Sequence, residues 1–325
     1  MSEGLLIVGE DVCAEVVNSE DAFDAVEAVF AAMAKGDAYN FPVIREAIGY
    51  ADALYGFKSG FDKAGKTLGV KSGGYWPGNM DKGLTNHQST IFLFDPDTGM
   101  LQALVGGNYL TAVRTAASSS VSIAHLSRKD SKVLGMVGAG HQSTFQLRAA
   151  AQQRDFEKVV AWNPHPEMLP KLGEVAKEIG LDFEAVTQEE LGAQADVIIT
   201  ITSAFEPLIM KGWIKPGTHI ACMGTDTKGK QEIDPAILVD AAVFADEIAQ
   251  SVTIGEAQHA VASRLISEEK ITPIGAVING DHPGRSTAEE ITLFDGTGVG
   301  LQDLAVAAVA ADQAVKQGKA TRVAL

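Results

Sequence analysis

Three side chains have surroundings suited to acid–base or carboxylate chemistry. Lys71 ends the apolar run Leu68-Gly69-Val70 and precedes Ser72-Gly73-Gly74. A lysine closing a strand and entering a glycine turn is a candidate for partial desolvation. Burial and nearby cations lower an ammonium pKa and let it exchange protons near neutrality; the alternative is a lysine simply exposed at a strand end. Asp226 lies in Met223-Gly224-Thr225-Asp226, directly after the buried-looking run His219-Ile220-Ala221-Cys222. In an open α/β fold the carboxyl end of such a strand faces the ligand cleft, although a solvated turn aspartate would read the same way. Arg45, in Val43-Ile44-Arg45-Glu46, offers either a two-pronged guanidinium to a carboxylate or a surface pair with Glu46.

A fourth segment brings phosphate chemistry. The run Lys132-Val133-Leu134-Gly135-Met136 leads into Val137-Gly138-Ala139-Gly140-His141-Gln142-Ser143 and then the helical pattern Phe145-Gln146-Leu147-Arg148-Ala149-Ala150. Strand, glycine turn and helix start are the context of a dinucleotide pyrophosphate: Gly138 permits the turn, Gly140 permits close backbone approach, and the helix start offers free N–H groups. Ser143 replaces the third glycine of the usual fingerprint, so a glycine turn without a ligand is the competing reading. At the end of the next strand stands Trp162-Asn163-Pro164-His165. Asn163 can hydrogen-bond a ribose hydroxyl or cap the following helix. With no Arg or Lys before Lys171, NAD(H) is favoured over NADP(H).

These segments need a frame. Residues 20–35 carry a helical apolar stripe, Phe23, Val26, Val29, Phe30 and Met33. From 43 to 105 the pattern is short strands, with Asp95-Pro96-Asp97-Thr98-Gly99 as a hairpin turn between Ser89–Phe94 and Leu101–Val105. A long Ala/Ser-rich helix follows over 109–126. Strands at 132–137, 159–162, 183–186, 196–200, 219–223 and 242–245 then alternate with helices, which implies a mostly parallel sheet. Residues 291–294 read as a last strand and 301–317 as a last helix. The expected fold class is therefore α/β: a Rossmann nucleotide-binding domain over 128–298, inserted into an α+β domain formed by 1–127 and 299–325. A sequential two-domain split is the alternative.

Composition narrows the partners. The chain has 325 residues, 46% hydrophobic and 21% charged, as in a globular protein with a substantial core. A net charge of −16 with no basic stripe argues against nucleic acid. If the substrate is an anion, the cations near it are local exceptions in a repelling field. No apolar run reaches membrane-spanning length, and Leu5-Leu6-Ile7-Val8 is too short for a signal core. Cys13 and Cys222 have no metal-ligand spacing and read as reduced thiols; a cytoplasmic protein with no membrane partner and no metal is expected.

Together these pieces resemble the ornithine cyclodeaminase/μ-crystallin family over nearly the whole chain. The resemblance rests on Arg45, Lys71, Phe92–Gly99, Leu110–Ala117, Gly138–Gln142, Gly224-Thr225-Asp226 with Gly229-Lys230-Gln231-Glu232, and Asp295-Gly296-Thr297-Gly298. It implies a homodimer paired through the first domain and hydride exchange between a nicotinamide and the α-carbon of an amino or imino acid. Carried over by residue, Arg45 and Lys71 contact the substrate carboxylate and the amine or imine, and Asp226 is the acid/base group. Arg114 and Thr115 contact cofactor phosphate, Gly138, Gly140, His141 and Gln142 form the pyrophosphate loop, and Met223, Gly224, Thr225, Thr297 and Gly298 lie towards the nicotinamide. Lys58, in Gly56-Phe57-Lys58-Ser59-Gly60, stands where the family more often has an apolar residue. With His87 it suits a second carboxylate, unless it is an exposed strand lysine. The expected reaction is reduction of a small dicarboxylic imino acid, iminosuccinate to L-aspartate. Ornithine cyclodeamination, alanine dehydrogenation and ketimine reduction are alternatives, as is a non-catalytic nicotinamide-binding protein.

Overall fold

The computed structural model describes residues 4–324, which divide into two compact units, one of 4–114 with 299–324 and one of Thr115–Gly298. Among the described residues the first unit contains one eight-stranded sheet. Its strands run in the order Thr321–Val323, Leu5–Val8, Leu101–Gly106, His87–Phe94, Thr67–Tyr75, Leu54–Asp62 and Ala38–Asn40, and Ile44–Ala47 also pairs with Leu54–Asp62. The hairpin turn forms as its residues demand: Asp95 Oδ1 accepts from the N–H groups of Asp97 and Thr98, both at 2.8 Å.

The strand around Lys71 does not stop where expected. It continues through Gly73 and Gly74 to Tyr75, so Lys71 sits mid-strand and no turn follows it. Both glycines are there because the neighbouring strands leave no room. A Cβ at Gly73 would lie 2.2 Å from the Gln88 carbonyl oxygen, and one at Gly74 would lie 1.8 Å from that of Leu54. The first strand, Leu5–Val8, was also not anticipated; it joins the sheet parallel to Leu101–Gly106.

The helix Gly300–Lys316 covers one face of this sheet. Leu301 and Leu304 sit over Gly60 and Gly69, where a side chain would intrude: a Cβ on Gly69 would lie 2.5 Å from Phe92 O and 2.8 Å from Leu304 Cδ2. Strand pairing places Lys58 opposite Lys71 and Arg45 opposite Gly56. Because side chains alternate with period two, Arg45, Lys58, Gly60, Gly69, Lys71 and His87 share the helix-bearing face. Tyr39, Ile44, Tyr55 and Phe57 point to the other face, and each is more than a third exposed.

The second unit carries an eight-stranded parallel sheet in the order Asp182–Ala185, Lys158–Trp162, Val133–Val137, Val197–Thr200, His219–Cys222, Thr292–Asp295, Ala242–Ala245 and Ile271–Pro273. The chain starts at Val133–Val137, moves outward over two strands and returns to the other side at Val197–Thr200. That reversal is the doubly wound, Rossmann-type switch point, with ligand-binding loops at the carboxyl ends of the strands. The central strands are buried on both faces, as parallel sheets require. The helix Asn108–Leu126 crosses the division between the units at 114/115, whereas the expected boundary lay at 127/128. Its second half belongs with the parallel sheet because its buried serines find partners there: Ser119 donates to Gln146 Oε1, and Ser122 Oγ is 3.1 Å from His219 Nε2.

The fit of the terminal helix on bare strand backbone gives a direct test. Gly69→Val should push Leu304 and the helix off the sheet, costing roughly 1–3 kcal/mol. Urea unfolding with an unchanged midpoint would contradict this packing.

Candidate functional site

In the first unit the basic residues converge on one buried acid. Asp303, fully buried, places Oδ2 2.7 Å from Lys71 Nζ and Oδ1 2.9 Å from Arg114 Nε. Arg114 Nη1 donates to Gln302 Oε1 at 3.1 Å, and Lys71 Nζ is 3.4 Å from Thr111 Oγ1. Burial, opposed by Asp303 but reinforced by Arg114 and Lys58, brings the Lys71 ammonium down to about 7. Burial would raise the Asp303 carboxyl, but Arg114 and Lys71 outweigh it and hold it below the ordinary carboxylate range. His87 is lowered to about 3, first by burial and then by Lys71, so its imidazole is neutral at physiological pH and contributes polarity rather than charge. Arg45 is exposed on the same face, and Lys58 is half-buried. Arg114 therefore lies with Lys58, Lys71 and His87, and its guanidinium is engaged by Asp303 and Gln302.

In the second unit the glycine loop has the expected form. Gly138 adopts φ +109°, and a Cβ there would lie 2.6 Å from the Ile201 carbonyl oxygen. Gly140 has nothing within 4 Å of an added Cβ, so its backbone is open to a close approach. The helix Ser143–Ala150 starts immediately after, and Gln142 holds a buried amide oxygen that accepts no hydrogen bond. His141 sets its ring against Phe145 at a tilt of 57°, with centroids 5.5 Å apart. An open glycine and a helix start fit a dinucleotide phosphate. Thr115 is buried in the helix that packs on this region, and its carbonyl accepts from Gln146 Nε2 at 3.1 Å.

Asn163 is partly buried, lines an open cleft, and makes two hydrogen bonds within the protein. Its Oδ1 accepts from Ala139 N at 3.1 Å, and its Nδ2 donates to His165 O at 2.8 Å. It ties the glycine loop to the end of the neighbouring strand and caps no helix. Beyond it lies an open cleft of ≈ 570 Å³ bordered by Trp162, Leu169, Val186 and Glu190, with no Lys or Arg in its lining.

The loop carrying Asp226 is held from beneath by two buried glutamates. Glu232 accepts from Gly224 N at 2.9 Å, Thr200 Oγ1 at 2.7 Å and Thr202 N at 2.6 Å. Glu256 accepts from Thr225 Oγ1 at 2.5 Å and from Ile233 N at 2.9 Å. Asp226 itself pairs with Lys230 Nζ at 2.8 Å, and Lys230 Nζ also reaches the Gly224 carbonyl at 3.1 Å. Met223 is buried at the strand end, where its N–H donates to Thr200 O. Thr297 and Gly298 donate their backbone N–H groups to the two carboxylate oxygens of Asp246, at 3.1 and 2.8 Å.

Residues 5–318 match the model of the ornithine cyclodeaminase/mu-crystallin family. The chain belongs to this family. An iminosuccinate reductase from Paracoccus denitrificans is 61% identical over 98% of this chain and 99% of its own. An alanine dehydrogenase from Archaeoglobus fulgidus is 32% identical over 99% and 98%. A crystal structure of the iminosuccinate reductase of Paracoccus denitrificans in complex with NAD+ superposes with a TM-score of 0.96, covering 99% of this chain and all of that one at 60% identity. An archaeal alanine dehydrogenase dimer with bound NAD gives 0.92 at 32% identity, covering 98% of each chain. The Rossmann-type unit and the α+β unit of this chain are thus those of the ornithine cyclodeaminase/mu-crystallin family.

Residues missed by sequence reading share one property: they are acids that touch named residues from beneath. Asp303 had a legible signal. It lies on the same stripe as Ala307, Ala310 and Ala314, so an acid heads an otherwise apolar, core-facing row. Glu256 had none, because only the fold brings it under Thr225.

Burial, and for Glu256 the nearby Glu232, raises the Glu256 carboxyl to about 8; burial raises Asp295 to about 7. A carboxyl with a higher pKa folded than unfolded stabilises the fold most below its unfolded value, and that contribution is lost as pH rises through the folded value. The Tm should therefore fall from about pH 5 to about pH 9, and Glu256→Gln should flatten the fall. A Tm that rises across this range, or a slope untouched by the substitution, would exclude it.

Proposed function

We propose that this chain reduces an imino acid with NADH and that its substrate is iminosuccinate, yielding L-aspartate. One observation carries this reading. In a chain of net charge −16, Arg45, Lys58, Lys71 and Arg114 are gathered in one small region of the first unit. Such a concentration of cations, kept at the cost of mutual repulsion, suits a dianion. The glycine loop suits a dinucleotide, and a cleft without Lys or Arg at the strand end favours NAD(H) over a cofactor bearing a further phosphate.

Bound NADH supplies the hydride that adds to the imine carbon. Arg45 binds the α-carboxylate, and Lys58, with the neutral His87 as a hydrogen-bonding group, takes the distal one. Lys71 in its ammonium form keeps a proton on the imine nitrogen, and Asp226 is, by family resemblance, an acid/base group. The carbon is then electrophilic, and when hydride adds to it the C=N bond becomes a C–N bond, so that the nitrogen stays on that carbon as the amine of the product. Fixed positive charge and orientation supply most of the rate enhancement. Thr225 and Thr297, with Gly298 and Met223, are the residues that would hold the nicotinamide. Lys58 opposes a cationic side chain, which disfavours ornithine as a substrate. The exposed aromatic face of the first sheet, with Tyr39, Tyr55 and Phe57, suits pairing of two copies.

Freshly generated iminosuccinate should be reduced with NADH far faster than pyruvate plus ammonia or pyrroline-carboxylate. Lys58→Met should lower kcat/KM for iminosuccinate by about 10- to 100-fold, the range of a lost charge-assisted contact, chiefly through KM. Unchanged affinity would remove the distal-carboxylate role. Proline formed from ornithine and NAD would replace the reading altogether. The rate should also fall as pH rises above about 7, where Lys71 loses its proton.

A further inference from the structure

Lys71 is surrounded by charge of its own sign. Lys58 faces it from the adjacent strand and Arg114 from the long helix, and neutral His87 approaches from the next strand. Asp303, on the terminal helix, is the acid that meets this group among the described contacts, and it does so with both oxygens, one on Lys71 and one on Arg114. A fully buried carboxylate persists only where such partners compensate its lost hydration. Its placement is also fixed from behind. The helix starts at Gly300, where a Cβ would lie 2.8 Å from Ser59 N and 3.0 Å from Lys58 C, so the first turn is seated on the backbone that carries Lys58.

We propose that Asp303 is a positioning residue of the imine-reducing site: one carboxylate aims Lys71 and Arg114 together, and its charge keeps Lys71 an ammonium among cations. Asp303 touches neither substrate nor cofactor in this role; it acts through Lys71. The inference rests on the imine-reductase reading for its catalytic consequence, but the state of Lys71 can be read without it.

The test compares the full chain with Asp303→Asn and Asp303→Glu, each with NADH added. Selective 13Cε labelling of lysine gives each lysine an NMR signal whose shift follows the charge on Nζ without altering the amine, and that of Lys71 is identified by its loss in Lys71→Arg. Asp303→Asn should move the Lys71 titration midpoint down by about one to two pH units, the effect of losing one close opposite charge. The alkaline limb of kcat/KM should move with it, with activity regained at lower pH, and Asp303→Glu should restore part of both. Gly300→Ala, which lifts the helix start, serves as the second probe if the Asn variant unfolds. It should shift the midpoint in the same direction by less. A midpoint unmoved in the folded variants overturns the proposal, as does a loss of rate equal at every pH. A shifted midpoint in a chain that reduces no imine would uphold the link between Asp303 and Lys71 while sinking the substrate reading.

Discussion

The first unit depends on the burial of one negative charge. Without Asp303, two cations would sit in the interior unpaired, a state costing several kcal/mol per ion. With it, a strongly acidic chain can keep Lys71 and Arg114 out of water and oriented. Much of the surrounding architecture follows from that requirement. The helix that carries Asp303 must lie flat on the sheet, so the strands beneath it are glycine at Gly60 and Gly69. The strands must also pair in a register that sets Lys58 and Lys71 side by side.

The second unit meets a related problem with the opposite charge. Its loops at the carboxyl ends of the strands are held by Glu232, Glu256, Asp246 and Asp295, all in its interior or near it. These acids accept backbone N–H groups that loops would otherwise leave unpaired, which is a form of compensation for irregular backbone. The cost is that Glu256 and Asp295 are driven towards their protonated forms. One unit thus hides cations around an acid, and the other hides acids among amides and hydroxyls.

Sequence reading reached what periodicity and local chemistry encode. The alternation of apolar runs with helical stripes located seven of the eight parallel strands to within a residue or two but missed Ile271–Pro273, a three-residue strand that ends in proline and has no apolar run to mark it; the glycine loop was found from its flanks. Lys71 was singled out for the right reason, desolvation, but set at a strand end. Gly73-Gly74 reads as a turn when the adjoining backbones, which actually demand glycine, are out of sight. Asn163 was legible as a polar residue at a strand end, but not as the tether to Ala139, because that bond spans two loops. Arg114 was read through its family resemblance as a phosphate contact, and its neighbours Asp303 and Gln302 lie 189 and 188 residues away. Long-range pairing of charges leaves no mark on local pattern.

The first unit is assembled from both ends of the chain. Its strand Leu5–Val8 is flanked by Leu101–Gly106 and by Thr321–Val323, and its sheet is covered by Gly300–Lys316. During synthesis, which runs from the N-terminus and lets domains fold as units, the parallel sheet has all its strands by Asp295, before that cover exists. The early strands must wait, with Lys71 lacking its counter-ion, until the last helix leaves the ribosome. Acquisition of the basic cluster is therefore a late event in the life of each molecule, and a chain truncated before Asp303 would retain a complete nucleotide-type sheet but a Lys71 with no counter-ion.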